Sequence, residues 1–475
     1  MDKASVKIGL FGIGLETYWP QFKGLKDKLV GFQNRIRAGL ERDGVFVVDA
    51  GLVDNLEKSV TAADLFVRES VDLVFLYIST YALSSTVLPI VQRTKVPVVV
   101  LNLQPVSHID YETFNNLPSR EEKTGEWLAH CQACSVPEVA SVFNRAGIDY
   151  HLVTGTLDDP EAWSEMRNWL DAALVVKVFR QGRIGLMGHY YGGMLDVYSD
   201  YTQLSSVFGN HFELVEIDEL KSLRDTASNK DVDDMLAEFH RAFDVSPECS
   251  GTELRRAALT SVALHRMVDK HGLCGLAYYY EGQPGNENED IITSVIAGNT
   301  LLTAKHVPVA GEYEVKNVIA MKILDALGAG GSFSELYALD FDDDIVMLGH
   351  DGPGHATIAE GKVQLVPLRV YHGKPGEGLS IQMSVKNGPV TILSVCQNRE
   401  GNVKLLVAEG ETVPGPILNI GNTNSRYRFS VGAKTYINEW AKAGPSHHCA
   451  IGIGHVAGKL QKLAALLGIE FQQVC

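Results

Sequence analysis

Pro97-Val98-Val99-Val100-Leu101 is an unbroken apolar run of strand length that opens on a proline. A strand covered on both faces reads this way, because neither side of its pleat meets water. Proline lacks a ladder N–H and is tolerated at the first position of a strand. Working outward, residues 6–11, 45–48 and 73–78 are further short apolar runs. Amphipathic helical patterns at 29–42, 59–69 and 82–92 separate them. Strands alternating with helices indicate βαβ units and a parallel sheet with helices on both faces.

A long helical pattern at 160–178 follows, and then the alternation restarts. Strands are predicted at 183–187, 212–217 and 276–280, and helices at 197–208, 232–243, 252–271 and 286–306. From about residue 340 the texture changes. Apolar runs at 345–348, 362–371, 379–385, 390–396 and 404–411 are separated by turns containing Gly, Pro and Asn. Such spacing predicts an antiparallel sheet or small barrel. A Gly-rich stretch and an amphipathic helix at 456–467 close the chain. The predicted organisation is two Rossmann-like parallel-sheet α/β domains, 1–176 and 177–325, followed by a β-rich domain, 326–475.

The 475 residues exceed one ordinary core, in keeping with several domains. Hydrophobic residues make up 45% and charged residues 21%, an ordinary globular balance. A net charge of −16 argues against a nucleic-acid surface, which needs a basic footprint. The first apolar run has strand length and no small-residue cleavage site, so no secretory signal is expected. No apolar stretch reaches the roughly 18 residues of a membrane span. Seven scattered cysteines suggest no disulfide framework, and a reducing, cytoplasmic location is the expectation. Gly9, Gly12 and Gly14 do not make a dinucleotide fingerprint, because Gly9 lies inside the first strand.

Chemistry-bearing residues gather late in the chain. Glu312 lies in Ala310-Gly311-Glu312-Tyr313-Glu314-Val315-Lys316, just before a helix, where a carboxylate can merely favour the helix dipole. Glu314 competes with it for any role. Glu335 follows the glycine-rich Gly328-Ala329-Gly330-Gly331, and its bland reading is an exposed loop glutamate. His350 and His355 bracket Asp351-Gly352-Pro353-Gly354, a turn-rich loop after a strand. His447 and His448 follow Gly444-Pro445-Ser446, and in regular structure adjacent side chains point apart, so one of them at most is expected on a metal. Two carboxylates and two imidazoles form a plausible divalent-metal site, suited to Mn²⁺, Fe²⁺, Co²⁺ or Zn²⁺ better than Ca²⁺. Cys131 and Cys134 form a single pair without a partner pair at zinc-ribbon spacing. Asp340, Asp342, Asp343 and Asp344 read as a solvated turn.

Taken in order, the Gly311–Lys316, Ser332–Tyr337, Leu348–His350 and Ser446–His448 segments resemble the L-arabinose isomerase family and, more distantly, the L-fucose isomerases. The resemblance runs through the whole chain in domain order. It departs from the family at Tyr313-Glu314-Val315, in the missing residue between Gly349 and His350, and in Gly12–Phe22. It implies Mn²⁺, or another divalent ion such as Co²⁺, held by Glu312, Glu335, His350 and His448, with the one-residue offset leaving His355 as the competitor for the third place. It implies Glu312 and Glu335 as the catalytic pair for aldose–ketose isomerisation, of the L-arabinose to L-ribulose type or with D-galactose or L-fucose. The route is a cis-enediol, with a hydride shift as the competing path. It also implies a homo-oligomer, trimer or hexamer, with active sites between subunits.

Further substrate contacts are expected from Tyr18, Trp19 and Gln21 after the first strand, where ligands of open α/β sheets collect. His130, Met194, Tyr279 and His447 complete the expected wall, with a monosaccharide as partner and neither nucleic acid nor membrane. Two rivals remain: a non-catalytic sugar-binding sensor, and a metal-dependent epimerase or hydrolase on the same residues.

Overall fold

The computed structural model describes residues 5–281, 285–369 and 376–475. They form two compact units, Met1–Lys177 and Val178–Cys475.

The first unit is built on a five-stranded parallel sheet in the order Val45–Val53, Val6–Ile13, Leu73–Tyr77, Val98–Gln104, Tyr150–Thr156. Val98, Val99, Val100 and Leu101 are all buried, as the apolar run requires. Phe11, Leu76 and Val100 pack with Phe66 and Phe143 from the covering helices. The predicted helix at 82–92 is instead a 3₁₀ turn, Ser84–Thr86, and a short helix, Leu88–Thr94, that carries Pro89 in its first turn. Three helices that the pattern did not reveal follow the fourth strand: Tyr111–Asn115, Arg120–Ala129 and Gln132–Ala146. The first two start on the side-chain caps Asp110 and Ser119, a stronger local signal here than hydrophobic period.

The second unit carries a four-stranded parallel sheet in the order Val309–Ala310, Gly275–Tyr279, Arg183–Gly188, His211–Val215. Two predicted helices are broken by local chemistry. The one at 197–208 is a 3₁₀ turn, Leu195–Val197, followed by the Asp200-capped helix Tyr201–Phe208. The one at 286–306 is two helices, Glu287–Ile292 and Ile296–Ala304. The predicted strand at 212–217 ends at Val215, and Ile217 opens a helix.

Beyond this sheet six antiparallel strands close on themselves. Their order is Gly388–Gln397, His448–Ile453, Gly330–Asp340, Ile345–His350, Thr423–Phe429 and Val403–Thr412, and the last pairs with the first. Glu470–Gln473 adds to the last strand in parallel. A small sheet joins Gly378–Gln382, Gln364–Leu368 and Asp244–Val245. The predicted strand at 362–371 is seen as Gln364–Leu368; Val370 and Tyr371 lie outside the described residues. One apolar cluster runs from Phe239, Ala258 and Leu301 to Val346, Leu365 and Ile392, so the central helices and the barrel share a core.

Helix Val315–Ala326 is buried on every side and packs on barrel strands Gly330–Asp340 and His448–Ile453. At Gly331 a Cβ would lie 2.4 Å from the Met321 carbonyl oxygen, so the strand can approach this helix only with glycine there. Glu335, expected in a loop, is therefore mid-strand. Among the described residues, no helix is long and apolar enough to cross a membrane.

Candidate metal and substrate site

The site forms where the end of the second parallel sheet meets one end of the barrel. After Val309–Ala310 the chain turns through Glu312 and Tyr313, whose φ angles of 55° and 59° are left-handed. The turn is held by Tyr313 N–H donating to the Tyr278 carbonyl at 3.1 Å and by Glu314 N–H donating to the Gly311 carbonyl at 3.0 Å. Two consecutive non-glycine residues in this region are strained, and such strain collects at functional sites. On the barrel, Glu335 stands opposite His448 on one neighbouring strand and opposite Gly349, next to His350, on the other.

Glu312 is the hub of this arrangement. Its carboxylate lies 3.3 Å from His448 Nε2, 3.6 Å from His447 Nε2 and 3.9 Å from His350 Nε2. Glu335 Oε2 is 3.9 Å from His447 Nε2. Glu312, His447 and His448 each offer a ligand atom within 4.8 Å of the others. Phe333 braces two of the imidazoles, with ring centroids 4.4 Å from both His350 and His448.

Burial pushes the His448 imidazole down to about 3, so it is neutral and has a lone pair to offer. Its Nε2 and the Glu312 Oε2 atom are buried without a hydrogen-bond partner among the described residues. Buried polar atoms left so are costly unless a ligand completes them. Carboxylate oxygen beside neutral imidazole nitrogen is a donor set for a divalent cation. Behind His448, Glu314 Oε2 stands 3.7 Å from Nδ1, the place of an outer residue that orients a ligating histidine. Burial raises the Glu314 carboxyl to about 8, against the opposing pull of Lys316. His447 moves the other way, up to about 9, through the nearby Glu312 carboxylate first and the bond to Asp196, with burial opposing.

A cavity of about 340 Å³ opens onto Glu312, Glu335 and His350. Tyr191, Tyr278, Tyr279 and Tyr337 give it aromatic walls, Ile292, Ile296, Leu418 and Ile420 apolar ones, and Asn422 a polar contact.

Comparison with known proteins bears on this arrangement. The family model of the L-arabinose isomerase C-terminal domain matches residues 330–470, the barrel that carries Glu335, His350 and His448. An L-arabinose isomerase of Nocardioides sp. is 24% identical over 387 residues, 77% of this chain and 74% of its own. Those of Bifidobacterium adolescentis and Bacillus subtilis are 22% and 19% identical, each covering 70% of this chain and 68% of theirs. The barrel thus matches the L-arabinose isomerase C-terminal domain, and the chain is distantly similar to L-arabinose isomerases over 70% or more of its length. A solved solute-binding protein from R. palustris, 15% identical with a TM-score of 0.15, supports no argument.

The structure brings Glu312, Glu335, His350, His447 and His448 together. His448, expected on the metal, and His447, expected on the substrate, lie side by side with ring centroids 3.8 Å apart. His447 precedes the strand that begins at His448, so alternation does not govern it. His355 faces elsewhere: Nδ1 meets Thr357 Oγ1 at 2.9 Å, and Nε2 is 3.9 Å from Asp325. Tyr279 lines the cavity, while Met194 lies half-buried on the loop that holds Asp196. Tyr18, Trp19, Gln21 and His130 belong to the other unit. There Tyr18 and Trp19 pack with Leu25, Leu29 and Leu128, and Trp19 Nε1 donates to Asp54 at 2.9 Å. Gln21 bonds the Thr17 carbonyl, and His130 bonds Glu126 at 3.2 Å. Cys131 and Cys134 are free thiols. The aspartate run is a structural turn: Asp343 meets Arg426 and Asp344 accepts from Ala433 N–H. Sequence reasoning missed Asp196, Tyr191, Tyr337 and Asn422, which no local pattern marks.

Proposed function

We propose that this protein is an aldose–ketose isomerase that interconverts a neutral aldose and its ketose, with L-arabinose as the first substrate to try, and that it works with a divalent cation, Mn²⁺ before Co²⁺. The observation that carries this reading is the convergence of the Glu312 carboxylate with three imidazoles beside a second carboxylate, Glu335. The described lining of the cavity includes Glu312, Glu335 and Asp351 but no lysine or arginine, which disfavours phosphorylated or acidic sugars. Its aromatic walls suit the C–H faces of a sugar chain, and Asn422 suits a hydroxyl.

Glu312, Glu335, His350 and His448 would hold the ion, with His447 beside them. When bound, a divalent cation polarises the carbonyl and hydroxyl oxygens of an open-chain sugar and so acidifies the hydrogen at C2. One carboxylate of the Glu312–Glu335 pair takes the C2 proton; as the carboxylic acid, the pair then returns a proton to C1 of the cis-enediol, while the O2 proton passes to O1. Positioned acid–base groups of this type contribute about 10²–10⁴-fold. Tyr278, its hydroxyl raised to about 12 by burial, stays protonated and donates hydrogen bonds only. A homo-oligomeric assembly belongs to the same reading, and sedimentation tests it.

Ketose formation from aldopentoses, aldohexoses and 6-deoxyhexoses, on EDTA-stripped protein with and without Mn²⁺, is the direct test. Metal-restored turnover that disappears in Glu312→Gln is the expected result. Tight sugar binding without turnover, unaffected by that substitution, would instead establish a sugar-binding protein.

A further inference from the structure

Asp196 lies on the loop between strand Arg183–Gly188 and helix Tyr201–Phe208, 251 residues before His447 in the chain. Four hydrogen bonds converge on it. Lys316 Nζ donates to its carbonyl oxygen at 2.6 Å and Ser446 Oγ to the same oxygen at 3.0 Å. The His447 backbone N–H donates to carboxylate Oδ2 at 2.9 Å, and His447 Nδ1 donates to Oδ2 at 2.6 Å. The backbone of the loop is therefore held by Lys316 and Ser446, and the carboxylate is left to His447.

A carboxylate of this kind only accepts, so the proton of the shared bond sits on His447 Nδ1. The opposite ring nitrogen, Nε2, then faces Glu312 Oε2 at 3.6 Å and Glu335 Oε2 at 3.9 Å. Rotation about χ2 of a histidine is broad, so the ring needs such a bond to hold one orientation. Gly444, at φ 75°, turns the chain into Pro445 and delivers His447 to the Asp196 carboxylate.

We propose that Asp196 is a positioning residue for the isomerase reaction: its carboxylate fixes the His447 imidazole so that Nε2 stands between Glu312 and Glu335 and can bond a sugar oxygen there. The catalytic contact belongs to His447; Asp196 acts through it. The kinetic part rests on the isomerase reading, the structural part does not.

Crystal structures of wild type and Asp196→Ala test the structural part. The carbonyl clamps survive that substitution, and the His447 ring should rotate away from Glu312 and Glu335. An unmoved ring overturns the proposal. On L-arabinose or the best aldose of the panel, Asp196→Ala should lower kcat about 10–100-fold, the range for an outer residue that orients an imidazole, with KM little changed. Asp196→Asn, which keeps an accepting oxygen, should recover part of that loss. Asp196→Ala combined with His447→Gln should be no slower than His447→Gln alone. Multiplying losses would mean that Asp196 merely supports the loop, and would overturn the proposal. If wild type converts no aldose, the isomerase reading fails and the crystallographic result still decides the role of Asp196. If Asp196→Ala does not fold, proton NMR of wild type decides: a far-downfield imidazole N–H signal that vanishes in His447→Gln is expected, and its absence overturns the proposal.

Discussion

Replacing Glu312 by glycine and, separately, by alanine isolates the strain at the centre of the site. Glu312 and Tyr313 sit at φ 55° and 59°, a conformation that costs an L-residue roughly 1–2 kcal/mol and glycine almost nothing. Both substitutions delete the same carboxylate. The lost contacts with His350, His447 and His448 therefore cancel between the two variants. What remains is the strain relieved by glycine, opposed by the roughly 0.5–1 kcal/mol of extra chain entropy that glycine loses on folding. Subtracting one from the other, the glycine variant should be the more stable by about 0.5–1 kcal/mol. For a unit of a few hundred residues that is roughly 1–4 °C in Tm. Calorimetry on EDTA-stripped protein reads the difference, and both variants should be inactive. An alanine variant as stable as the glycine variant would refute the argument that the turn is strained.

Further outcomes follow from other contacts. Gly331→Ala places a Cβ 2.4 Å from the Met321 carbonyl oxygen at φ 121°, and should lower stability by roughly 3 kcal/mol, read as a shifted urea midpoint. Phe333→Ala removes a buried ring that touches two imidazoles; it should destabilise by roughly 3–5 kcal/mol and weaken Mn²⁺ binding in calorimetric titration. Burial raises the Glu314 carboxyl from 4.5 to about 8, so the folded protein keeps a proton that the unfolded chain releases. That contribution is complete below the unfolded value and is lost as pH climbs through the folded one. Glu314→Gln should therefore gain on wild type between those two values and keep the gain above; parallel pH–stability curves would contradict it. Mn²⁺ at about 1,000 times its dissociation constant should stabilise wild type by roughly 4 kcal/mol and leave the Glu312→Gln melting curve nearly unmoved.

Much of the architecture was legible because parallel strands write their burial locally. Val98, Val99, Val100 and Leu101 are apolar in sequence because both of their faces are covered, and a reader of residues alone can see that. Helix Arg120–Ala129 was missed because it buries only Leu128 and Ala129, too few apolar positions to mark a face. The closure of the barrel was not legible either, since pairing of Gly388–Gln397 with Val403–Thr412 on one side and His448–Ile453 on the other is set by register, not by composition.

For the site, sequence order and family resemblance named Glu312, Glu335, His350 and His448, but local pattern did not separate any of them from bland surface residues. Glu335 looked like a loop glutamate because Gly330 and Gly331 precede it. Only the packing of helix Val315–Ala326 shows that those glycines admit a close strand. His350 and His355 are likewise told apart only by geometry: one ring lies beside Glu312 and the other meets Thr357. The sequence by itself determined the class of fold and the pool of ligating residue types, because burial and chemical type are properties of each position. Which side chains meet was decided by tertiary structure alone, because Asp196 and His447 lie 251 residues apart and interact only once the central helices and the barrel have closed on one core.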